Sequence, residues 1–494
     1  MIHQYPALII TVPLIAALLT VLVSWLNKKW CFPLACIGIL IPLLAAVGLL
    51  LEVLEKGVVT YQLSGWRPPI GIEYRIDHLN ALVLLVIFSV ALLNLFGSRA
   101  KVLAEFPEKT GAFYGLSTLF VTGLAGITIT GDAFNLYVLL EITALTGYAL
   151  IGMGDRHAPL AGLNYLIMGT IGASFYLLGV GFLYLITGTL NMAELSVILP
   201  DLYGSRVVIF AFFLCLIGLF IKMALFPVHS WLPNAYAYMP TAASGLVAAL
   251  TTKVMIYVMI RISLSVFTPA FAFSSILLKN ALVWLAVISI VAGSILALAQ
   301  KSLTRMLTFI IIAEVGYMVG GFWLGNRDGI TGAVLHIVND AAMTLCLFLA
   351  VGSIRFRLNS DRLDDLRGLF RKMPYTMLAL IVGGFSIIGV PPSCGFFSKW
   401  YLIKGGLAAG SYEFVAALLF SSLVNVILFF RIIEIGFFNA PPPGQPVSHA
   451  QPIAGGISEA PLGMVVISLI SATSLVILGL STNILVGHMI RFIR

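Results

Sequence analysis

IFAFFLCLIGLFIKMALFPVHSWLP, residues 209–233, is the stretch that decides the fold. It is apolar over the length of a membrane-spanning helix, about 20 residues, except for Lys222, and it runs into Pro227 and Pro233. A charge at mid-membrane costs about 2.5–3.5 kcal/mol by insertion scales, so such residues usually line a polar path. The stretch therefore predicts a transmembrane helix that contains a functional lysine and is broken by proline.

The composition indicates a polytopic membrane protein. Hydrophobic residues make up 60% of the 494 positions, charged residues 10%, and the mean hydropathy is +1.06, whereas a soluble domain has about 25% charged residues. Apolar runs of spanning length recur from end to end, which favours an all-α helical bundle over a barrel. The first run, Ala7–Trp25, lacks the features of a signal peptide, so we interpret it as the first transmembrane helix.

Hydropathy predicts about fourteen transmembrane helices joined by short loops in one membrane domain. The longest polar connections are Arg355–Lys372 and the proline-rich Pro441–Pro461. The predicted helix cores are 7–25, 31–54, 76–96, 113–130, 133–153, 160–186, 207–226, 241–262, 274–299, 305–325, 329–354, 374–402, 412–438 and 461–486.

Loop charges predict the orientation of the chain. Basic residues crowd into the loops after odd-numbered helices, so the positive-inside rule places those loops in the cytoplasm and both termini on the outer face of the cell membrane. We interpret the net charge of +8 in the same way, not as a nucleic-acid surface. The basic residues of the odd loops are Lys28, Lys29, Arg99, Lys101, Lys109, Lys301, Arg305, Arg355, Arg357, Arg362, Arg367, Arg371 and Lys372.

The motifs give no sign of a cofactor, a metal or hydrolytic catalysis. The five cysteines form no CxxC pair, so we expect neither a disulfide, zinc nor an iron–sulfur cluster. The chain has no phosphate loop, no GxSxG and no HExxH. A transporter subunit is therefore favoured over an enzyme or an ATP-driven pump.

Two interrupted helices predict an internal repeat. One break, at Phe226–Pro227, follows Lys222, and the other, at Pro391–Pro392, precedes Lys399. Interrupted helices at corresponding places in two halves indicate inverted repeats with a site near the membrane midplane. The predicted organisation is helices 1–3 over 1–112, a first five-helix repeat over 113–262, a second over 270–438 and a last helix over 461–494.

Charged residues inside the first repeat predict a proton relay. Glu141 lies in an apolar helix, and Lys222 and Lys253 lie in two later ones. An ion pair of Glu141 with Lys222 that opens would leave the lysine without its counter-charge and let it release a proton; the alternative is a static salt bridge. Lys253 would pass the charge onward. His229, in the break, is interpreted either as a proton carrier or as a structural cap.

The second repeat carries a corresponding set. Glu314 precedes His336 and Asp340, which are four residues apart and therefore share a helix face. We interpret His336 and Asp340 as a relay pair, with a structural hydrogen bond as the alternative. Lys399 would end this half of the relay, whereas snorkelling accounts for Lys404.

Several segments resemble the antiporter-like proton-translocating family. They are TGDAFNLYVLLEI at 130–142, the stretch 220–261, LAQKSLTRMLTF at 298–309 and GVPPSCGFFSKW at 389–400. That family includes the large subunits of Mrp-type multisubunit cation/proton antiporters and membrane subunits of respiratory complex I and membrane-bound hydrogenases. The resemblance covers roughly 70–435, and residues 130–142 are more similar to the D subunit of the Mrp antiporters than to the corresponding segment of complex I subunits.

The resemblance implies fourteen helices with two inverted five-helix repeats, and roles for particular residues. Glu141 and Lys222 match the family's ion pair, Lys253 its connecting lysine, and Lys399 its terminal lysine. His336 matches a histidine in HxxxHAxxK, but here the motif reads HIVNDAAMT, so Asp340 and Thr344 replace a histidine and a lysine. We expect Glu314 and Asp340 to act as carriers instead, or to form a cation-binding spot; a half-channel that no longer conducts is the alternative.

The predicted function is that of a proton-conducting subunit of a Mrp-like antiporter, which exchanges sodium or another monovalent cation for protons. Its expected partners are other membrane subunits and the lipid bilayer. A redox-driven pump subunit would use the same residues, and a structural subunit with a vestigial channel is the second rival.

Overall fold

The computed structural model describes residues 4–154, 157–438 and 457–490, so the extreme ends and most of the predicted Pro441–Pro461 connection lie outside the described residues. The fold is all-α, as predicted, apart from one small hairpin. The longer helices are α1 (Tyr5–Ser24), α2 (Cys31–Lys56), α3 (His78–Glu105), α4 (Thr110–Ile129), α5 (Ala133–Gly152) and α6 (Ala158–Thr187); after the short α7 (Met192–Ile198) come α8 (Arg206–Lys222), α9 (Trp231–Tyr238) and α10 (Thr241–Arg261).

The second half of the chain continues in the same way. After the short α11 (Thr268–Ala272) come α12 (Ile276–Leu298), α13 (Leu303–Trp323) and α14 (Arg327–Leu358); α15 (Leu369–Lys372) is a single turn, followed by α16 (Pro374–Ile388), α17 (Cys394–Ala408), α18 (Tyr412–Ile433), α19 (Leu462–Leu480) and α20 (Thr482–Ile484).

The prediction of about fourteen crossings is confirmed. Twelve helices of the described residues are long and apolar enough to cross a membrane, and α8 with α9 and α16 with α17 supply two more, each as a broken pair. The breaks predicted for the cores 207–226 and 374–402, at Phe226–Pro227 and Pro391–Pro392, are present, although the first helix ends earlier than predicted, at Lys222. The chain leaves the helix at Ala224, where φ is +59°, and at Gly389, where φ is +96°, both in the left-handed region that ends a helix.

The broken pairs are the seventh and twelfth crossings, five apart. Because five is odd, corresponding helices of the two repeats cross the membrane in opposite directions, which is the inverted arrangement expected. The exact residue boundaries of the repeats stay a prediction. The centre of the bundle is α10, whose membrane-crossing window is 100% buried, flanked by α13 and α14, each 94% buried, whereas α1 is 28% buried.

A two-stranded antiparallel hairpin, which the hydropathy pattern did not predict, covers one end of the bundle. Strand β1 (Val59–Gln62) pairs with β2 (Glu73–Ile76) in the register Val59 to Ile76 and Gln62 to Glu73. The backbone of Glu73 also accepts from Gly131, between α4 and α5. We call this end of the bundle the hairpin face, and the opposite end, where α3 and α14 finish and α10 begins, the basic face.

An ion pair ties two central helices together at the hairpin face. Asp77 caps α3 by accepting from the backbone of Leu79 and Asn80, and its carboxylate also pairs with Arg261, the last residue of α10. The ends of α3 and α10 are therefore held together next to the hairpin, and α10 runs from there through the centre to the basic face.

Candidate functional site

The structure brings Glu141 of α5 and Lys222 of α8 together, as predicted. The ammonium Nζ of Lys222 lies 3.5 Å from Oε1 of Glu141, with the side chains 6% and 23% exposed. Among the described residues neither atom has any other hydrogen-bond partner. This ion pair is therefore long and, within the described residues, has no supporting hydrogen bond.

The helix break determines where Lys222 lies. Helix α8 ends at this residue, so the last turn exposes backbone carbonyls that have no partner within the helix. The indole of Trp231, at the start of α9, donates to one of them, the carbonyl of Ile221, over 3.0 Å. Lys222 therefore lies at the carbonyl end of a half-helix, where the helix dipole favours a positive charge.

Lys253 of α10 pairs with the second half of the chain. Its Nζ lies 3.0 Å from Oδ2 of Asp340 on α14, with 1% and 0% of the two side chains exposed. It also donates to the hydroxyl of Thr344 over 3.2 Å and to the carbonyl of Ala248 over 3.3 Å, and Thr344 in turn donates to Asp340 over 2.9 Å. The residues that replace the family's second histidine and lysine are thus the ones that hold Lys253.

Glu314 of α13 is fully buried against the same carboxylate. It lies within hydrogen-bonding range of Asp340, and no donor of the described residues reaches either of its oxygens. Two carboxylates this near to each other repel when both are charged. Lys253, Asp340 and Glu314 together form a compact centre, which we call the central triad.

The predicted pair of His336 and Asp340 does not form a hydrogen bond. The Nδ1 atom of His336 faces the hydroxyl of Ser398 on α17 at 2.8 Å, and its Nε2 atom has no partner among the described residues. Its ring packs edge-on against Tyr317, with centroids 5.5 Å apart. His336 and Asp340 do lie on the same face of α14, as predicted. However, Asp340 bonds to Lys253 and Thr344, whereas His336 faces Ser398 of the broken α17.

Lys399 of α17 binds uncharged acceptors at the second break. Its Nζ donates to the carbonyls of Ile387 and Ile388, over 2.7 and 3.3 Å, and to the hydroxyl of Ser422 over 2.9 Å. The ammonium also lies 5.2 Å from the centre of the Tyr317 ring. Like Lys222, it therefore lies at the carbonyl end of a half-helix, here the end of α16.

His229 makes no contact with another titratable side chain among the described residues. It is half-buried, its Nδ1 faces the carbonyl of Pro227 at 3.2 Å, and its ring stacks on Phe226. These contacts fit the structural alternative, and the relay role of His229 stays a prediction. Lys404, expected to snorkel, forms an exposed ion pair with Asp328 at 3.3 Å.

A group of buried aromatic side chains lies between the Glu141–Lys222 pair and the Lys253–Asp340 pair. The sequence analysis did not single it out. Tyr165 stacks on Trp231 with centroids 4.2 Å apart and packs against Tyr148, and Tyr165 and Tyr148 are within electrostatic range of Glu141. Tyr236 is within range of both Tyr165 and Asp340. The sequence signal was present, since two of these residues lie in the conspicuous 220–261 stretch.

The three lysines of the predicted relay therefore differ in their partners. Lys222 has one loose carboxylate partner, Lys253 has a close carboxylate and two neutral acceptors, and Lys399 has neutral acceptors only. A change at one pair alters the field at the next, because charges interact strongly where water is excluded. Carboxyl and amino groups arranged in this way are chemically able to accept and release protons.

Comparison with known proteins identifies related chains over nearly the whole length. The family described as NADH:quinone oxidoreductase/Mrp antiporter, TM, matches residues 130–425, more than half of the chain. The N subunit of NADH-quinone oxidoreductase from Desulforudis audaxviator (strain MP104C) is 41% identical over 99% of this chain and 98% of its own length. The D subunit of the Na⁺/H⁺ antiporter from Bacillus subtilis (strain 168) is 30% identical over 88% and 87%.

Solved structures agree with these sequence relatives. A chain of the membrane-bound sulfane sulfur reductase (MBS), an archaeal respiratory membrane complex, superposes with a TM-score of 0.89 at 30% identity, covering 99% of this chain and 96% of that one. A chain of the Mrp complex from Dietzia sp. DQ12-45-1b gives a TM-score of 0.87 at 25% identity, covering 98% and 96%. All the neighbours named here are subunits of multisubunit membrane complexes.

Proposed function

This chain belongs to the NADH:quinone oxidoreductase/Mrp antiporter family, and from that premise we propose that it is a proton-translocating subunit of a multisubunit membrane complex. The proton would move between Glu141–Lys222, the central triad and Lys399, with His336 beside the last step. Each of these groups lies inside the helical bundle, and each differs in partner from the next.

One observation carries this proposal: Lys222 and Glu141 pair at 3.5 Å and have no other hydrogen bond among the described residues. Burying a charge without compensating hydrogen bonds is costly, and structural ion pairs acquire them. A pair left this loose is poised to open. When Glu141 turns away or is protonated, Lys222 loses its counter-charge and releases its proton towards the interior.

For the host complex we propose a Na⁺/H⁺ antiporter, as the sequence predicts. A potential of 100 mV is worth about 2.3 kcal/mol per charge, so an exchange that moves more protons in than cations out can extrude the cation. In this arrangement the complex resides in the cell membrane, with the basic face of this chain in the cytoplasm and both termini outside. The relative from Bacillus subtilis and the Mrp complex chain support this host.

A redox-driven complex is the second candidate host. It is favoured by the 41% identity to the N subunit of a NADH-quinone oxidoreductase over 99% of the chain, and by the likeness to a chain of the MBS respiratory complex. The same buried residues would then work in the opposite sense, with electron transfer in partner subunits driving protons outward.

Proton translocation by the reconstituted native complex tests the relay. We expect Glu141→Gln and Lys222→Met to lower the rate about a hundredfold or more, because each removes a positioned proton-transfer group, while the complex still assembles. Lys404→Met is the matched control, since it removes a lysine whose ion pair with Asp328 is exposed. A wild-type rate in either relay variant would refute the proposal and leave a structural subunit with a vestigial channel.

Purification in mild detergent from native membranes tests the host. Companions that are small hydrophobic subunits without redox centres, identified by mass spectrometry, would support the cation/proton antiporter. Companions with iron–sulfur clusters, flavin or nickel would exclude it and support the redox-driven complex.

A further inference from the structure

A polar cavity opens at the basic face between α3, α10 and α14. It has a volume of about 560 Å³, and its lining includes Lys101, Glu105, Thr241, Gly352 and Arg355. Sequence analysis assigned Lys101 to a cytoplasmic loop, and that was wrong, because α3 extends to Glu105 and the side chain of Lys101 is 2% exposed. The buried lysine lies at the inner end of the cavity, and the exposed Glu105 at its rim.

Lys101 is part of a polar stripe that runs inward along α3. Asn94, Ser98, Lys101 and Glu105 are spaced by four, three and four residues, so they lie on one face of the helix. Asn94 and Ser98 are 3% and 1% exposed. Polar residues buried in a membrane helix usually face the interior of the bundle or a water-filled cavity.

The stripe faces the two central helices. The amide of Asn94 donates to the carbonyl of Ala242 over 3.3 Å, and its Oδ1 points at Gly245, where a Cβ atom would come within 2.5 Å of it. Farther out, the ammonium of Lys101 lies against Gly352 of α14, which has no side chain to block it. The two glycines thus make room for the side chains of Asn94 and Lys101.

Two atoms of the stripe have no protein partner among the described residues: Oδ1 of Asn94 and the hydroxyl of Ser98. Buried polar atoms of this kind are normally satisfied, often by water. The cavity is the adjacent source of water, because Lys101, which lines it, is the next member of the stripe, three residues from Ser98.

The stripe ends between the cavity and the central triad. Lys253 donates to the carbonyl of Ala248, so its side chain points back towards the basic face. Ala248 is three residues beyond Gly245 and seven beyond Thr241 at the cavity, about 5 and 10 Å along α10 at 1.5 Å per residue. Asn94 therefore lies about midway between the cavity and the ammonium of Lys253.

We propose that this cavity and the α3 stripe form the entrance through which protons from the basic face reach the pair of Lys253 and Asp340. The inference rests on the proposed function. A proton exchanges at Lys101, passes through water held by Ser98 and Asn94, and is accepted at the pair.

Labelling of a cysteine placed in the stripe tests whether the entrance admits water, and this measurement does not depend on proton transport. In a variant whose five cysteines are replaced by alanine, we expect Ser98→Cys to react with a small water-soluble methanethiosulfonate added at the basic face. Ser468→Cys is the control, because Ser468 of α19 is equally buried and bonds to its own helix. If Ser98→Cys is as unreactive as Ser468→Cys, the entrance does not exist, whatever the transport function.

Proton translocation tests the use of the path. We expect Asn94→Leu to lower the rate about tenfold, because a hydrogen-bonding partner is lost, while Asn425→Leu, which also removes a buried amide with an unpartnered atom, leaves it unchanged. An accessible Ser98→Cys together with an unchanged rate for Asn94→Leu would overturn the proposal. If the wild type and all variants translocate no protons, the proposed function fails while the labelling result still stands.

Discussion

At the scale of single residues, the central triad forms at the place where α14 departs from the motif of the family. Thr344 donates to Asp340 and accepts from Lys253, so a hydroxyl bridges the two charges. Glu314 completes the centre from α13. In the proposed relay, the basic group beside Asp340 is Lys253 from the other half of the chain.

Neutral isosteres of the two carboxyls should have different effects. Glu314→Gln keeps the shape and can donate to Asp340, so we expect the free energy of unfolding to change by about 1 kcal/mol or less. Asp340→Asn leaves Lys253 without its counter-charge and should cost about 3 kcal/mol or more. Both should lower proton translocation about tenfold or more, because each removes a positioned proton carrier.

Thermal unfolding and proton translocation of the purified complex check these two variants side by side. Wild-type transport in both would show that the triad carries no protons. Equal stability losses in the two would mean that the charge of Asp340 is not what holds Lys253.

At the scale of elements, the breaks position the lysines. Gly389 has a φ of +96°, which L side chains rarely adopt, and a Cβ atom there would approach Cδ of Lys399 to 3.3 Å. The break thus needs a glycine both for its backbone and for the lysine stem beside it.

Gly389→Ala should therefore destabilise the protein. The left-handed conformation costs an L residue about 1–2 kcal/mol, so we expect a lower midpoint of thermal unfolding for the complex. Gly181→Ala is the control, because Gly181 is a helical position with open space around it, where alanine gains up to about 1 kcal/mol. The assignment of the break would be contradicted if Gly389→Ala were as stable as Gly181→Ala.

The ion pair between the ends of α3 and α10 gives a pH dependence with a defined sign. Burial raises the pKa of Asp77, but the Arg261 charge and the hydrogen bonds at the start of α3 outweigh it, so the pKa lies below its usual value. A carboxylate whose pKa is lowered by folding stabilises the folded protein at pH values above its unfolded-state pKa, about 3.9 for aspartate. That contribution disappears as the pH falls through the folded-state pKa.

Asp77→Asn keeps a good helix cap and removes the charge. At neutral pH we expect it to be less stable than wild type by about 3 kcal/mol, and the difference should shrink below about pH 4. Thermal unfolding of both proteins over a range of pH values measures this. A difference that stays constant down to pH 3 would show that Asp77 is not stabilised by Arg261.

At the scale of the whole molecule, the sequence predicted what depends on local pattern and missed what depends on packing. The crossings followed from apolar length, and the breaks at Lys222 and Lys399 from their prolines. The partner of Lys253 could not be predicted, because Asp340 comes 87 positions later along the chain and only tertiary packing joins them. Lys101 was placed in a loop for the same reason, since its burial depends on α10 and α14.

The two halves of the molecule are joined by charge as well as by packing. Lys253 belongs to the predicted first repeat and Asp340 to the second, and their pair lies in the most buried part of the bundle. In the proposed relay, a change in the charge of the Glu141–Lys222 pair acts through this pair on Glu314, His336 and Lys399. The central claim is that one relay crosses the boundary between the halves.

Proton translocation by the reconstituted native complex containing Lys253→Met tests this claim most directly, with Lys301→Met, at an exposed loop position, as the control. We predict a rate about a hundredfold below wild type for Lys253→Met, because a positioned proton-transfer group is lost, and an unchanged rate for Lys301→Met. Equal, wild-type rates in both variants would contradict the account.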